Sequence, residues 1–178
     1  LTGTGGTFNI PSGQAMTLSG TVGESGSGGQ LTKMGDGSLL LNAAGGYTGT
    51  THLNQGTLQV NHGSALGSSA LILNGGTLVG GGFTLPNAIT VNNVANNRMY
   101  TNTINLTLSG AWSGNGAVSV TGATSASSII ISGDTSGFSG TINLDGQNST
   151  NHIFVSGAAA SLQNATFNFT NTAPGNNF

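Results

Sequence analysis

The chain has 178 residues, no cysteine and a formal net charge of −2. Only 3 per cent of its residues are charged, against about 25 per cent in an ordinary globular domain. So few cations cannot neutralise a run of phosphates, which excludes general nucleic-acid binding. The absence of cysteine excludes disulfides and thiolate metal sites. No apolar run approaches the roughly 20 residues of a membrane-spanning helix, so we expect no membrane insertion of this chain.

Apolar residues recur in pairs along nearly the whole chain, which argues against a disordered tract. Residues at positions i and i+2 lie on one face of a strand. The Gly- and Asn-rich segments between the pairs supply the positive φ angles of sharp turns. We therefore predict short strands and no helix. The pairs are Leu39/Leu41, Leu58/Val60, Leu71/Leu73, Ile89/Val91, Leu106/Leu108, Val118/Val120, Ile129/Ile131 and Ile153/Val155.

Two segments in the first half of the chain resemble each other. "HLNQGTLQV" (52–60) and "ILNGGTLVG" (72–80) match at five of nine positions without any shift in alignment. Their offset of about 20 residues is typical of one turn of a solenoid, in which each unit buries its apolar face against the next. We therefore expect Asn54 to lie over Asn74 in an amide ladder, about 4.8 Å apart.

The spacing becomes longer towards the C-terminus. Val118 finds its counterpart in Ile142, and Ile129 finds its counterpart in Ile153. Both pairs have the same spacing, and it exceeds the spacing between Leu53 and Leu73. The turns are therefore expected to lengthen in this direction.

A second similarity has a much longer offset. "MTLSG" (16–20) recurs as "LTLSG" (106–110), and "GYTGTT" (46–51) recurs as "GFSGTI" (137–142). The two offsets are nearly equal and correspond to several turns, which indicates that a block of turns has been duplicated.

Together these patterns predict an all-β fold, a parallel β-helix of about eight or nine rungs with a period of roughly 20 to 24 residues. The prediction is one domain over residues 1–178, with an internal duplication of approximately 10–99 and 100–178. Asn-Gly beside short strands would also suit the hairpins of an antiparallel sandwich. A sandwich, however, gives no reason for a repeat at constant spacing.

Residues 28–78 resemble the autotransporter-associated β-strand repeat of type V secretion passengers in Gram-negative bacteria. In the second block the resemblance is weak, because Phe138 replaces the tyrosine and Ser139 the threonine. The resemblance implies a right-handed parallel β-helix that is secreted to the outer cell surface or beyond, and it implies no activity. The matching residues are Gly29, Leu31, Lys33, Gly35, Gly37, Leu39 and Leu41, then Tyr47, Thr48, Gly49 and Thr51, then Gly56–Leu58, Leu66, Gly67 and Gly75–Leu78.

Candidate catalytic and metal-binding residues are few. Asp134 and Asp145 are separated by about half a turn of the repeat. They would therefore lie on different faces, and we interpret them as turn residues. His52, His62 and His152 do not follow the period of the repeat, and we interpret them as surface residues. We therefore predict no catalytic, metal or cofactor site.

Aromatic side chains are the other candidates, because they could line a sugar-binding groove. A single aromatic residue beside glycine more often closes a corner, and we expect Tyr47 to pack against a turn. Its counterpart Phe138 indicates that a hydroxyl is not required at that place. The candidates are Tyr47, Phe83, Tyr100, Trp112 and Phe138.

The predicted function is that of a non-enzymatic structural protein of the bacterial cell surface or extracellular space. Its expected partner is a second copy of itself, bound head to tail or by strand exchange through the terminal rungs. An alternative is a carbohydrate-binding or adhesin module of an autotransporter passenger, with surface glycans as partners. A polysaccharide-degrading enzyme is a minor alternative.

Overall fold

The structure is a computed structural model that describes residues 1–102, 104–122, 127–145, 152–155 and 164–170. At 122, 145, 152–155, 169 and 170 it describes the backbone alone. These residues form 19 strands, and none of them lies in an α-helix. No helix in this part of the chain is long and apolar enough to cross a membrane.

The strands form three sheets, in which all pairings are parallel. Sheet 1 contains β1 (Gly6–Asn9), β3 (Leu31–Met34), β5 (Thr51–Leu53), β7 (Leu71–Leu73), β10 (Ile89–Val91), β13 (Trp112–Gly114) and β16 (Gly137–Phe138). Sheet 2 contains β2 (Ala15–Leu18), β4 (Ser38–Leu41), β6 (Thr57–Val60), β8 (Thr77–Gly80), β11 (Arg98–Thr101), β14 (Ala117–Gly122), β17 (Thr141–Asp145) and β19 (Thr166–Thr170). Sheet 3 contains β9 (Phe83–Leu85), β12 (Leu106–Leu108), β15 (Ser128–Ile131) and β18 (His152–Val155).

Successive strands along the chain belong to different sheets, so the chain winds around a common core. It alternates between sheets 1 and 2 until β8 and then also visits sheet 3, which begins at β9. This parallel arrangement confirms the predicted β-solenoid and excludes the antiparallel sandwich. The right-handed sense of the coil stays a prediction from the resemblance.

The predicted number of rungs was too high. The seven strands of sheet 1 span about six turns, rather than eight or nine. The count rested on the spacing between the segments 52–60 and 72–80, which recurs where Leu31 pairs with Thr51 and Thr51 with Leu71. The first turn is longer, because Gly6 pairs with Leu31. The turn from Leu71 to Ile89 is shorter, and the turns after Ile89 are longer, because Ile89 pairs with Trp112.

The side-chain ladders follow the predicted register. Leu53 pairs with Leu73, and Asn74 Nδ2 donates to Asn54 Oδ1 at 2.9 Å. The amide ladder extends one turn further than predicted, because Asn92 Nδ2 donates to Asn74 Oδ1 at 2.5 Å. The longer offset is confirmed as well, since Val118 pairs with Ile142 and Ile129 with Ile153.

The core consists of stacks of inward-facing side chains, and many strands contribute two of them. In sheet 2 the stacked residues are Leu39, Leu58, Leu78, Met99 and Val120, which are at most 3% exposed. Each such side chain stabilises the fold by about 1.5 to 3 kcal/mol relative to an exposed position. Because no single turn can enclose these residues, the stability of each turn depends on its neighbours.

Tight corners require glycine where one turn crosses the next. Gly56 has a φ of 65°, and a Cβ atom there would collide with the carbonyl oxygens of Gly35 and Gly37. Only glycine satisfies both conditions without strain. The glycine-rich segments of the sequence are therefore turns between strands.

Tyr47 and Phe138 have different surroundings. The Tyr47 side chain is buried, and its hydroxyl forms a 2.8 Å hydrogen bond with Thr51 Oγ1, which lies 3.1 Å from Ser69 Oγ. Phe138 instead packs against the edge of Trp112. The interpretation that no hydroxyl is required therefore fails for Tyr47, because its own hydroxyl is part of a buried hydrogen-bond chain.

The internal duplication stays a prediction. The first of its matched segments includes β2 in sheet 2, whereas the second includes β12 in sheet 3.

The amide ladder gives a first test of the register. We expect Asn74→Ala to lower the free energy of unfolding by about 1 kcal/mol, because it removes the hydrogen bonds to both neighbouring turns. Chemical denaturation followed by circular dichroism measures this change. The matched control is Asn115→Ala, an exposed asparagine in the turn before β14. Equal effects of the two substitutions would contradict the ladder.

Candidate functional site

Lys33 is buried, although it carries one of the chain's two cationic side chains. It lies in β3 between Phe8 and Leu53 in a ladder of inward-facing residues. Its Nζ donates hydrogen bonds to the carbonyl oxygens of Met34 at 2.8 Å, Gly35 at 2.6 Å and Gln55 at 3.2 Å. The three donors of the ammonium group are therefore satisfied by two successive turns of the solenoid.

The electrostatics of Lys33 agree with a structural role. Burial lowers the pKa of its ammonium group, and the nearby charge of Asp36 acts in the opposite direction. Because the side chain has no exposed surface, it cannot contact a ligand on the outside of the solenoid.

Removal of the ammonium group tests this role. We expect Lys33→Met to lower the free energy of unfolding by about 2 to 4 kcal/mol, because it leaves buried carbonyl groups without donors. The matched control is Arg98→Met, which removes the other cationic side chain from an exposed position and should change stability by less than about 0.5 kcal/mol. Both variants are measured by chemical denaturation. Similar losses in both would mean that charge, rather than the buried hydrogen bonds, is responsible.

The acidic candidates lie on different segments of the same turn of the coil. Asp134 is exposed between β15 of sheet 3 and β16 of sheet 1, whereas Asp145 ends β17 in sheet 2 and its side chain lies outside the described part of the structure. The Ser136 amide donates to Asp134 Oδ1 at 2.9 Å and lowers the pKa of this carboxyl. Glu24 is similarly engaged, because it accepts hydrogen bonds from Thr48 and Gly29, which lower its pKa.

The histidines occupy separate places. His52 lies on the outer face of β5, 2.8 Å from Thr50 Oγ1, and the exposed His62 accepts a hydrogen bond from the Ser64 amide. The side chain of His152 lies outside the described part of the structure. Within that part, no three His, Asp or Glu side chains are grouped so that they could hold a metal ion.

Most of the aromatic candidates face the core. Trp112 and Phe138 are buried, with ring centroids 5.7 Å apart at an angle of 79°, and Tyr47 is buried as well. Phe83 is partly buried against the core. These four rings therefore do not form an exposed sugar groove. Tyr100 differs, because it is half-exposed on the outer face of β11.

The outer face of sheet 2 is the remaining candidate surface, because this sheet has the most strands among the described residues. It carries two rows of side chains that run across successive strands. One row contains Ser38, Thr57, Thr77, Arg98 and Ser119, and the other contains Leu40, Gln59, Val79, Tyr100 and Thr121. In these five strands the two rows are therefore neutral except at Arg98.

We define the Arg98 patch as the outward-facing residues of β8, β11 and β14 at this position. They are Thr77, Val79, Arg98, Tyr100, Ser119 and Thr121.

Asn97 positions the patch, because it anchors the turn that leads into β11. This residue is 2% exposed, and its Nδ2 donates to the carbonyl oxygens of Asn92 at 2.9 Å and Ala117 at 3.1 Å. Its Oδ1 accepts from the Gly75 amide at 2.8 Å. These hydrogen bonds fix the turn to the neighbouring turns on both sides. The strand β11, whose first residue is Arg98, therefore begins at an anchored corner.

The sequence pattern did not reveal the roles of Lys33 and Asn97. A signal was present for Lys33, because it alternates with the buried Leu31 and lies two residues before the turn at Gly35. For Asn97 no comparable signal exists, since asparagine is abundant in all the turns of this chain.

The comparisons with known proteins agree with the fold. A parallel β-solenoid with short strands and glycine-rich corners is the architecture that the repeat resemblance implies. The chain is 39% identical over 124 residues to a Brucella suis biovar 1 (strain 1330) protein described as "Adhesin BmaC autotransporter". The match covers 66% of this chain and 4% of that protein. Together with the fold, it confirms the resemblance to autotransporter passenger repeats.

No family model matches the chain, and no solved structure matches it significantly.

Proposed function

We propose that this chain is part of a non-enzymatic autotransporter passenger, exposed on the surface of a Gram-negative bacterium, in which the solenoid presents an adhesive face. The observation that carries this proposal is the 39% identity to a protein described as an autotransporter adhesin, in a chain that folds as a β-solenoid. The secreted, cell-surface location has the same support.

The outer face of sheet 2 is the best candidate for the adhesive surface. It spans eight parallel strands and combines hydroxyl, amide, aliphatic and aromatic side chains in flat rows. Surfaces of this kind bind partners by many weak polar and apolar contacts. Sheet 3 is smaller, with four strands.

An attachment assay with matched variants tests adhesion and locates the surface. Beads coated with the purified chain should bind cultured epithelial cells, and soluble chain should compete. We expect Thr57→Glu/Thr77→Glu on sheet 2 to reduce attachment about tenfold. The two new carboxylates would have to lose their bound water when a partner contacts this face, which disfavours binding. The control is Thr90→Glu/Ser113→Glu, which places the same two charges on paired residues of sheet 1.

The control variant should attach as the unaltered chain does, and circular dichroism should show that both variants are folded. Absence of competable attachment by the unaltered chain would contradict the adhesive function. Equal loss in both variants would contradict the assignment to sheet 2.

End-to-end self-association is a second proposed property. At the N-terminal end of the structure, β1 and β2 are the outermost strands of sheets 1 and 2, so among the described residues each has one edge without a strand partner. Met16 pairs with the buried Leu39 in the same ladder, yet the Met16 side chain is 43% exposed. These features support a second copy that stacks on this end by parallel strand pairing.

Electron microscopy and sedimentation velocity test the stacking. The unaltered chain should form linear assemblies whose length increases with concentration. Met16→Lys should shorten them, because it places a charge on the stacking surface. The control Ile104→Lys changes a residue that is 58% exposed in the turn between β11 and β12, away from that end. Strictly monomeric particles of the unaltered chain at all concentrations would disprove self-association.

A further inference from the structure

We propose that the Arg98 patch binds sugars that carry a carboxylate, and this inference rests on the proposed adhesive function. It assigns a ligand class to one place on the outer face of sheet 2.

The positive charge of Arg98 favours a ligand with a carboxylate. The sequence contains two Lys and Arg residues, and because Lys33 is buried, Arg98 is the exposed cationic side chain. Within the described part of the chain its guanidinium makes no hydrogen bond and no ion pair. Glu24, by contrast, is bonded to Thr48 and Gly29. A guanidinium with free donors presents a planar fork that matches a carboxylate.

The residues beside Arg98 are arranged so that they can contact a sugar ring. Thr77 and Ser119 flank Arg98 at the same register on the adjacent strands, about 4.8 Å away on each side. Their hydroxyls can donate to and accept from sugar hydroxyls. Tyr100 lies two residues further along β11 on the same face, about 7 Å from Arg98. Its ring offers the apolar surface against which a pyranose packs.

The low positive charge of the chain favours a ligand with one carboxylate over a polyanion. A polyanion such as a nucleic acid needs many cations, whereas this chain has one exposed cationic side chain and a net charge of −2. The neighbours of Arg98 in the patch are neutral side chains. The patch therefore suits a single carboxylate on a ring rich in hydroxyls.

Binding of sialyllactose and lactose to the unaltered chain tests the proposal, because the two sugars differ by one carboxylated ring. Titration followed by NMR at low ionic strength should show binding of sialyllactose at least about tenfold tighter than lactose, as expected for a charge-assisted bidentate contact. The chemical-shift changes should centre on β8, β11 and β14.

Variants separate the contributions of the patch. Arg98→Gln should abolish the preference for sialyllactose. Arg98→Lys should retain only part of it, because an ammonium group cannot form the planar fork. Tyr100→Ala should weaken both sugars alike. The control Thr32→Ala, on the outward-facing side of β3 in sheet 1, should leave both affinities unchanged.

Three results would overturn the inference. They are equal affinities for the two sugars, an unchanged preference in Arg98→Gln, and tighter binding of a glutamate-rich peptide than of sialyllactose. Attachment to sialidase-treated cells distinguishes this inference from the proposed function. If the chain still binds treated cells fully, adhesion stands and the carboxylated-sugar site fails; if it binds neither treated nor untreated cells, the adhesive function itself fails.

Discussion

In-register stacking of parallel strands is the constraint on which this structure depends. Each side chain meets its counterpart in the next turn at about 4.8 Å, so neighbours in a ladder must tolerate one another. Leucine over leucine and asparagine over asparagine satisfy this condition, as Leu53/Leu73 and Asn54/Asn74 do. Like charges at this spacing repel. The low charge of the chain, 3 per cent of its residues, is therefore explained by the stacking, and polar neutral residues cover the surface instead.

The sequence predicted those features that repeat, and it failed for those that occur once. The identities between the segments 52–60 and 72–80 were sufficient for the register and for the amide ladder. Sheet 3 was not foreseen, although the stacking of Ile129 and Ile153 within it was predicted, because the repeat shows which residues stack and not to which sheet they belong. The hydroxyl of Tyr47 was misjudged through comparison with Phe138, whose surroundings differ. A pattern of alternating residues identifies the face that a side chain points to, but it does not identify its polar partners at a corner.

One of the two cationic side chains of the chain is buried and the other is exposed, so only the exposed one can contact a ligand on the surface. The Lys33 ammonium is enclosed by backbone carbonyls, whereas the Arg98 guanidinium lies on a flat outer face among hydroxyls and one tyrosine. The similarity to a protein described as an autotransporter adhesin, together with the solenoid fold, supports a role as a cell-surface passenger. A rigid stack is suited to this role, because it holds the same face in a fixed orientation over many turns.

Repetition also carries a risk, because a chain of similar turns can stack in more than one alignment. In the ladder of Lys33, the residues of the neighbouring turns are Phe8, Leu53 and Leu73. If β3 were shifted by one turn, the ammonium group would keep the carbonyl oxygens of Met34 and Gly35, which move with it, but it would lose that of Gln55. A buried donor that loses its acceptor costs about 1 to 3 kcal/mol. One ionic residue in an otherwise apolar column therefore favours the native alignment of β3 over a shifted one.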